Sequence, residues 1–214
     1  MKKIITSIAL LAAITACSPA QAEEGYEWAT NSRIIGMNPD YVEKVLGPPM
    51  YKHDGNWTYD FNGCEVTYIF DGATIDTLTA VIKENCQPVI NGKRLTPATT
   101  FADVGIDNGM IQADCIFSCG NAADPTIDLF FQGYRANGGI EIIYRGNYSD
   151  AQSAAMDLWV DSIRRERGIA PDDFTYREGV FDCVSSPPAG VNALLRNETI
   201  TAVTLGADVN TYCN

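Results

Sequence analysis

The chain has 214 residues, 46% hydrophobic and 20% charged, which suits one large packed domain or two small ones and argues against wholesale disorder. With 15 basic and 27 acidic residues the formal net charge is −12, which disfavours non-specific binding to a nucleic-acid backbone. One histidine, His53, excludes a multi-histidine metal site and leaves a Ser-His-Asp triad a single candidate base.

Residues 1–22 read as an export signal: Lys2 and Lys3 precede a short apolar run from Ile4 to Ala13, too short to span a membrane. Two processing sites compete. Ala20-Gln21-Ala22 is a small-x-small cleavage site that would release a soluble chain starting at Glu23. Ile14-Thr15-Ala16-Cys17 resembles the bacterial lipobox, in which the cysteine receives lipid and cleavage falls before it. The lipobox is the leading reading, because Cys17 sits where the apolar run ends. Its acyl chains would anchor the protein to a membrane. Ser18 rather than Asp follows the cysteine, which by resemblance to enterobacterial sorting favours the outer membrane, facing the periplasm. The alternative is a soluble periplasmic or secreted protein. Without residues 1–22 the chain keeps 13 basic and 27 acidic residues, a net of −14.

Residues 23–33 read as a polar tether. A helix follows: Asn38 caps it, Pro39 suits the first helical position, Asp40 favours the dipole, and Gly47-Pro48-Pro49 stop it. Tyr41, Val42, Val45 and Leu46 are its apolar face. Tyr51 to Asn56, with His53 beside Asp54, reads as a turn. Alternation then predicts three strands. They run through Trp57, Tyr59 and Phe61, through Cys64, Val66, Tyr68 and Phe70, and through Leu78, Ala80 and Ile82. Asn62-Gly63 is a hairpin signal, and Asp71-Gly72 starts a turn. Residues 34–90 are therefore one unit, a helix packed on a three-stranded antiparallel meander.

Pro88, Asn91-Gly92 and Pro97 mark a boundary. Residues 91–214 read as a second α+β unit. It begins with a short helix at Thr100 to Val104, closed by Gly105, followed by an irregular stretch over 105–125. Strands are expected at 126–132 and 139–145, then a helix at 150–167. In that helix Ser149 and Gln152 form a capping box, and Ala151, Ala155, Leu158, Trp159 and Ile163 line one face. Arg164, Arg165 and Arg167 suit the helix dipole better than a basic binding patch. Short strands at 175–182 and 199–205 close the chain. The fold class is α+β, disulfide-stabilised, with an element order that allows two such units in tandem.

Besides Cys17 the chain has Cys64, Cys86, Cys115, Cys119, Cys183 and Cys213, an even number in an exported protein. Three structural disulfides are expected. The sequence does not choose among 15 pairings. Neighbour pairing of Cys64 with Cys86 and of Cys183 with Cys213 is favoured.

The stretch from Ile35 to Val81 carries Gly36-Met37-Asn38-Pro39, Val45-Leu46-Gly47-Pro48-Pro49, Trp57-Thr58-Tyr59 and Ile69-Phe70-Asp71-Gly72. It resembles the small outer-membrane lipoproteins of the BamE (SmpA/OmlA) family, and the lipobox agrees. The same helix-plus-meander unit recurs, doubled, in the beta-lactamase inhibitor protein fold. The resemblance covers under a quarter of the chain and implies an α+β fold with a non-enzymatic, protein-binding job in the envelope. Members of that family are much shorter and do not have this six-cysteine framework, so neither its partner in barrel assembly nor any contact residue is carried over.

His53 reads as an exposed turn residue rather than a base. The acids Glu65, Asp114, Asp124, Asp128 and Glu141 read as solvated surface rather than a hydrolytic pair. Cys119 to Pro125 reads as a pinned turn rather than a calcium loop. No metal or cofactor is expected. Strand alternation leaves the meander a second face, and Glu65, Thr67 and Ile69 are the expected partner contacts there. The leading expectation is a non-enzymatic envelope lipoprotein that binds another envelope protein and no nucleic acid. The alternatives are an exported acidic inhibitor of a basic hydrolase such as lysozyme and, less favoured, a carboxylate-based hydrolase.

Overall fold

The computed structural model describes residues 25–113, 126–133, 139–170, 188–207 and 209. After a helical turn over 25–29 come helix α1 (Pro39–Leu46) and strands β1 (Tyr51–His53), β2 (Asn56–Asp60), β3 (Glu65–Asp71) and β4 (Thr74–Val81). A small hairpin, β5 (Val89–Ile90) and β6 (Lys93–Arg94), leads to β7 (Met110–Ala113), β8 (Ile127–Phe131) and β9 (Glu141–Gly146). Helix α2 (Asp150–Arg167), helix α3 (Val191–Leu195) and strand β10 (Ile200–Gly206) complete the order.

Local chemistry sets the element ends. The Asn38 side chain accepts from the Asp40 N–H at 2.9 Å, Pro39 opens α1, and Gly47 ends it at φ 84°. Ser149 caps α2 by accepting from the Gln152 N–H, and Gly168 closes it in the left-handed region at φ 65°. Asn62-Gly63, at φ 58° and 87°, turns β2 into β3.

β1 to β4 and β7 to β10 form one eight-stranded antiparallel sheet in the order β1-β2-β3-β4-β10-β9-β8-β7. The two halves meet where β4 pairs with β10, Val81 opposite Ala202 through Thr77 opposite Gly206. Each half supplies four strands, but the second does not repeat the first. In the first half the helix precedes the meander. In the second, α2 lies between β9 and β10, so these neighbours are joined by a long excursion instead of a turn.

One sheet face carries Trp57, Tyr59, Val66, Tyr68, Leu78, Ala80, Val203, Leu205, Tyr144, Leu129 and Ile111, all buried. Val42 of α1, Ala155, Trp159 and Ile163 of α2, and Val191 and Leu195 of α3 join the same cluster. These three helices therefore lie on one face of the antiparallel sheet, as helices do in an α+β fold. Cys64 and Cys86 form a disulfide with their Cα atoms 5.3 Å apart, fastening the start of β3 to the loop after β4. Cys17, Cys115, Cys119, Cys183 and Cys213 lie outside the described residues, as does the strand expected at 175–182.

Several expectations are corrected. The meander has four strands, because Tyr51–His53 pairs with β2 through a tight turn at Asp54-Gly55. These three residues are all exposed, so β1 carries no alternation to announce it. Thr100 to Val104 is not a helix: the Asp103 carboxylate accepts from the Thr100 N–H and hydroxyl at 2.9 Å, and the chain turns there. Within the stretch expected to be irregular, Met110–Ala113 is the edge strand β7. The expected boundary region folds as the β5–β6 hairpin, with Ile90 and Leu95 buried in the shared core.

Candidate functional site

The sheet face opposite the helices is the candidate site. Alternation puts every second residue of each strand there, and the register aligns them across strands. Thr58 stands opposite Thr67, Thr67 opposite Thr79, and Thr79 opposite Thr204. Four adjacent strands thus present one straight row of half-buried threonines. Their hydroxyls pair within the row, Thr58 with Thr67 at 3.2 Å and Thr79 with Thr204 at 3.0 Å. Because β-branched side chains are stiff at χ1, such a row holds its shape without a partner.

The structure places Glu65, Thr67 and Ile69 together on this face. Glu65 and Ile69 are exposed, Ile69 at 43%, and Thr67 is half-buried in the threonine row. Ile69 stands opposite Asn56 on one side and Thr77 on the other. Thr58, Thr79 and Thr204 belong to the same surface and were missed, although β2, β4 and β10 also alternate. What the sequence lacked was the pairing of β4 with β10, across a separation of more than 120 residues.

Beyond β10 the row changes character. Thr204 stands opposite Ile143, Ile143 opposite Phe130, and Phe130 opposite Met110. Val209 covers these side chains, and its N–H donates to Glu141 at 2.9 Å. Gly206 makes this return possible: a Cβ there would lie 2.3 Å from the Val209 side chain and 2.9 Å from the Asp76 carbonyl. In the next row Asp128 is 2% exposed, and Arg145 grips its carboxylate with two nitrogens at 2.9 to 3.3 Å. Asp128 and Glu141 are thus structural acceptors, not the solvated surface acids expected. Beside Asp128 in register, Gln112 is 4% exposed, and neither amide atom has a partner among the described residues.

The far edge is aromatic and exposed. The His53 ring stacks on Tyr51, with centroids 6.1 Å apart, and its Nδ1 lies 3.4 Å from the Asp54 carboxylate. His53 therefore ends an edge strand rather than sitting in a turn, with its side chain 61% exposed. Lys52 reaches over the Trp57 ring at 3.6 Å and pairs with Glu43 of α1 at 3.0 Å. Asp114 and Asp124 lie outside the described residues, as does Cys119 to Pro125. Among the described residues no three His, Cys, Asp or Glu side chains gather as metal ligands, and no helix is long and apolar enough to cross a membrane.

No protein-family model matches the chain, and comparison with curated proteins and with solved structures returns no match.

Proposed function

We propose that this chain is an exported envelope protein, anchored through lipid on Cys17, that works without catalysis by binding another protein on the open face of β2, β3, β4 and β10. The observation that carries this reading is the face itself. A four-strand row of paired threonines, flanked by exposed Ile69 and Glu65, lies on the side that no described helix occupies. The row carries no charged side chain, as the centre of a protein interface is depleted of charge, and exposed Glu65 stands beside it. The lipobox at Cys17 and the resemblance of residues 35–81 to the BamE family support the envelope setting.

Photo-crosslinking tests the surface. A benzoylphenylalanine at position 67 or 79 is expected to trap one envelope protein, whereas the same probe at Asp157, exposed on α2, traps none. Equal trapping from Asp157, or none from the open face, refutes the assignment. Intact mass of the native protein tests the anchor: a chain beginning at acylated Cys17 supports it, and a bare chain beginning at Glu23 removes it.

The charge of −12 favours a second reading, an inhibitor of a basic hydrolase such as lysozyme, using the same face. Inhibition that weakens as salt rises would select it over the accessory role.

A further inference from the structure

On the helix-covered side the sheet is closed unevenly. Between the tip of the β5–β6 hairpin and the ends of β8 and β9 lies a cleft of about 210 Å³. Phe131, Ile140 and Ile142 line it with apolar surface, and the exposed amides of Asn91 and Gln132 border it. Tyr144 completes the lining; it is 7% exposed and meets Phe131 edge-to-face with ring centroids 5.9 Å apart.

The Tyr144 hydroxyl differs from those of Tyr26 and Tyr68, and it borders the cleft, whereas the Tyr59 hydroxyl, likewise without a partner among the described residues, is enclosed in the core. Tyr26 donates to the Val81 carbonyl at 3.0 Å and Tyr68 to the Ala29 carbonyl at 2.7 Å. The Tyr144 hydroxyl has no hydrogen-bond partner among the described residues, and burial alone pushes its pKa up to about 12. A buried phenol ordinarily finds an acceptor. Here the donor borders a cleft whose described lining residues carry no charged side chain.

We propose that this cleft is a binding site for a small neutral aromatic molecule bearing one hydrogen-bond acceptor, which takes the Tyr144 hydroxyl bond while its ring packs against Phe131, Ile140 and Ile142. The volume sets the size. A dry cavity of roughly 150 Å³ accepts benzene, so about 210 Å³ accommodates one ring with a short substituent. The lining sets the charge: an ion would lose its hydration with no counter-charge among the described lining residues to replace it, and an anion would also enter a chain of net charge −12. The site lies on the sheet face opposite the threonine row, so it stands independently of the proposed partner surface.

Acetophenone is the test ligand and benzoate its charged counterpart of similar size. Both are titrated into the mature chain, with native disulfides, while the methyl resonances of Ile140 and Ile142 are followed by NMR. Acetophenone is expected to shift both saturably, and benzoate to bind at least about tenfold more weakly, because the described lining holds no cation. Tyr144→Phe keeps the ring contact with Phe131 and is expected to weaken acetophenone about fivefold, the worth of one net hydrogen bond. Ile140→Trp, at a half-buried wall position, is expected to fill the cleft and abolish binding without unfolding the chain. Absence of saturable shifts at Ile140 and Ile142 overturns the proposal. So does a Tyr144→Phe chain that binds as tightly as the parent, or benzoate binding equal to acetophenone.

Discussion

At the scale of single residues, the core tyrosines separate into satisfied and unsatisfied groups. The Tyr68 hydroxyl donates to the Ala29 carbonyl from a fully buried position, whereas the Tyr59 hydroxyl is buried without a partner among the described residues. Tyr68→Phe orphans a carbonyl and should cost about 1–3 kcal/mol. Tyr59→Phe removes an unsatisfied group and should leave stability unchanged or raise it by up to about 1 kcal/mol. Urea denaturation of the two variants reads the contrast directly. Gln152 is a second such residue. Its amide accepts from the Ile127 N–H at 2.8 Å and donates to the Ile127 carbonyl at 3.2 Å, so α2 completes the hydrogen bonding at the start of β8. The sequence placed Gln152 at the right helical position for a capping box, but its side chain turns inward to the sheet instead of back to Ser149. Gln152→Ala should cost about 2–4 kcal/mol in the same measurement, since it strands two buried backbone groups.

At the scale of elements, what was legible followed from local signals. Asn38-Pro39 and Gly47 announced α1, and Ser149 and Gly168 announced α2, because caps act within one turn of the chain. Alternation announced β2, β3 and β4, because each buries one face, whereas β8 and β9, expected at 126–132 and 139–145, are buried on both faces. β1 and β7 were missed for one physical reason: each lies at a sheet edge, paired on one side only, and is three or four residues long. The threonine row was legible strand by strand, but not as a row, because register between β4 and β10 is set by packing and not by a turn. The Cys64–Cys86 bridge followed the favoured neighbour pairing. It closes a loop of 22 residues, and replacing both cysteines by Ala should lower stability by about 2–4 kcal/mol, read as a lower denaturant midpoint with little change in slope.

At the scale of the whole molecule, one core fastens both halves, so the chain should unfold as a unit. Four buried tyrosines from the two halves make this visible at alkaline pH. Burial pushes Tyr59 and Tyr144 up to about 12, and Tyr26 and Tyr68 also well above the usual 10.0. Their folded pKa values are raised, so their contribution is fully present below pH 10. It is lost as pH rises, because the unfolded chain releases protons that the folded one retains. Stability should fall above pH 10 by about 1.4 kcal/mol per pH unit for each tyrosine, and Tyr absorbance should change together with loss of the sheet's circular dichroism.

The described helices lie on one face, so the opposite side of β2, β3, β4 and β10 is the proposed recognition surface, and the account depends on it. Its most direct test is the affinity of the partner trapped at position 67 for two charge-insertion variants. Thr79→Arg sits in the middle of the threonine row, and Asp157→Arg sits on the helix side. The account predicts that Thr79→Arg weakens binding at least about tenfold through an uncompensated buried charge, while Asp157→Arg binds as the parent does. Equal affinity of the parent and the folded Thr79→Arg chain would contradict it.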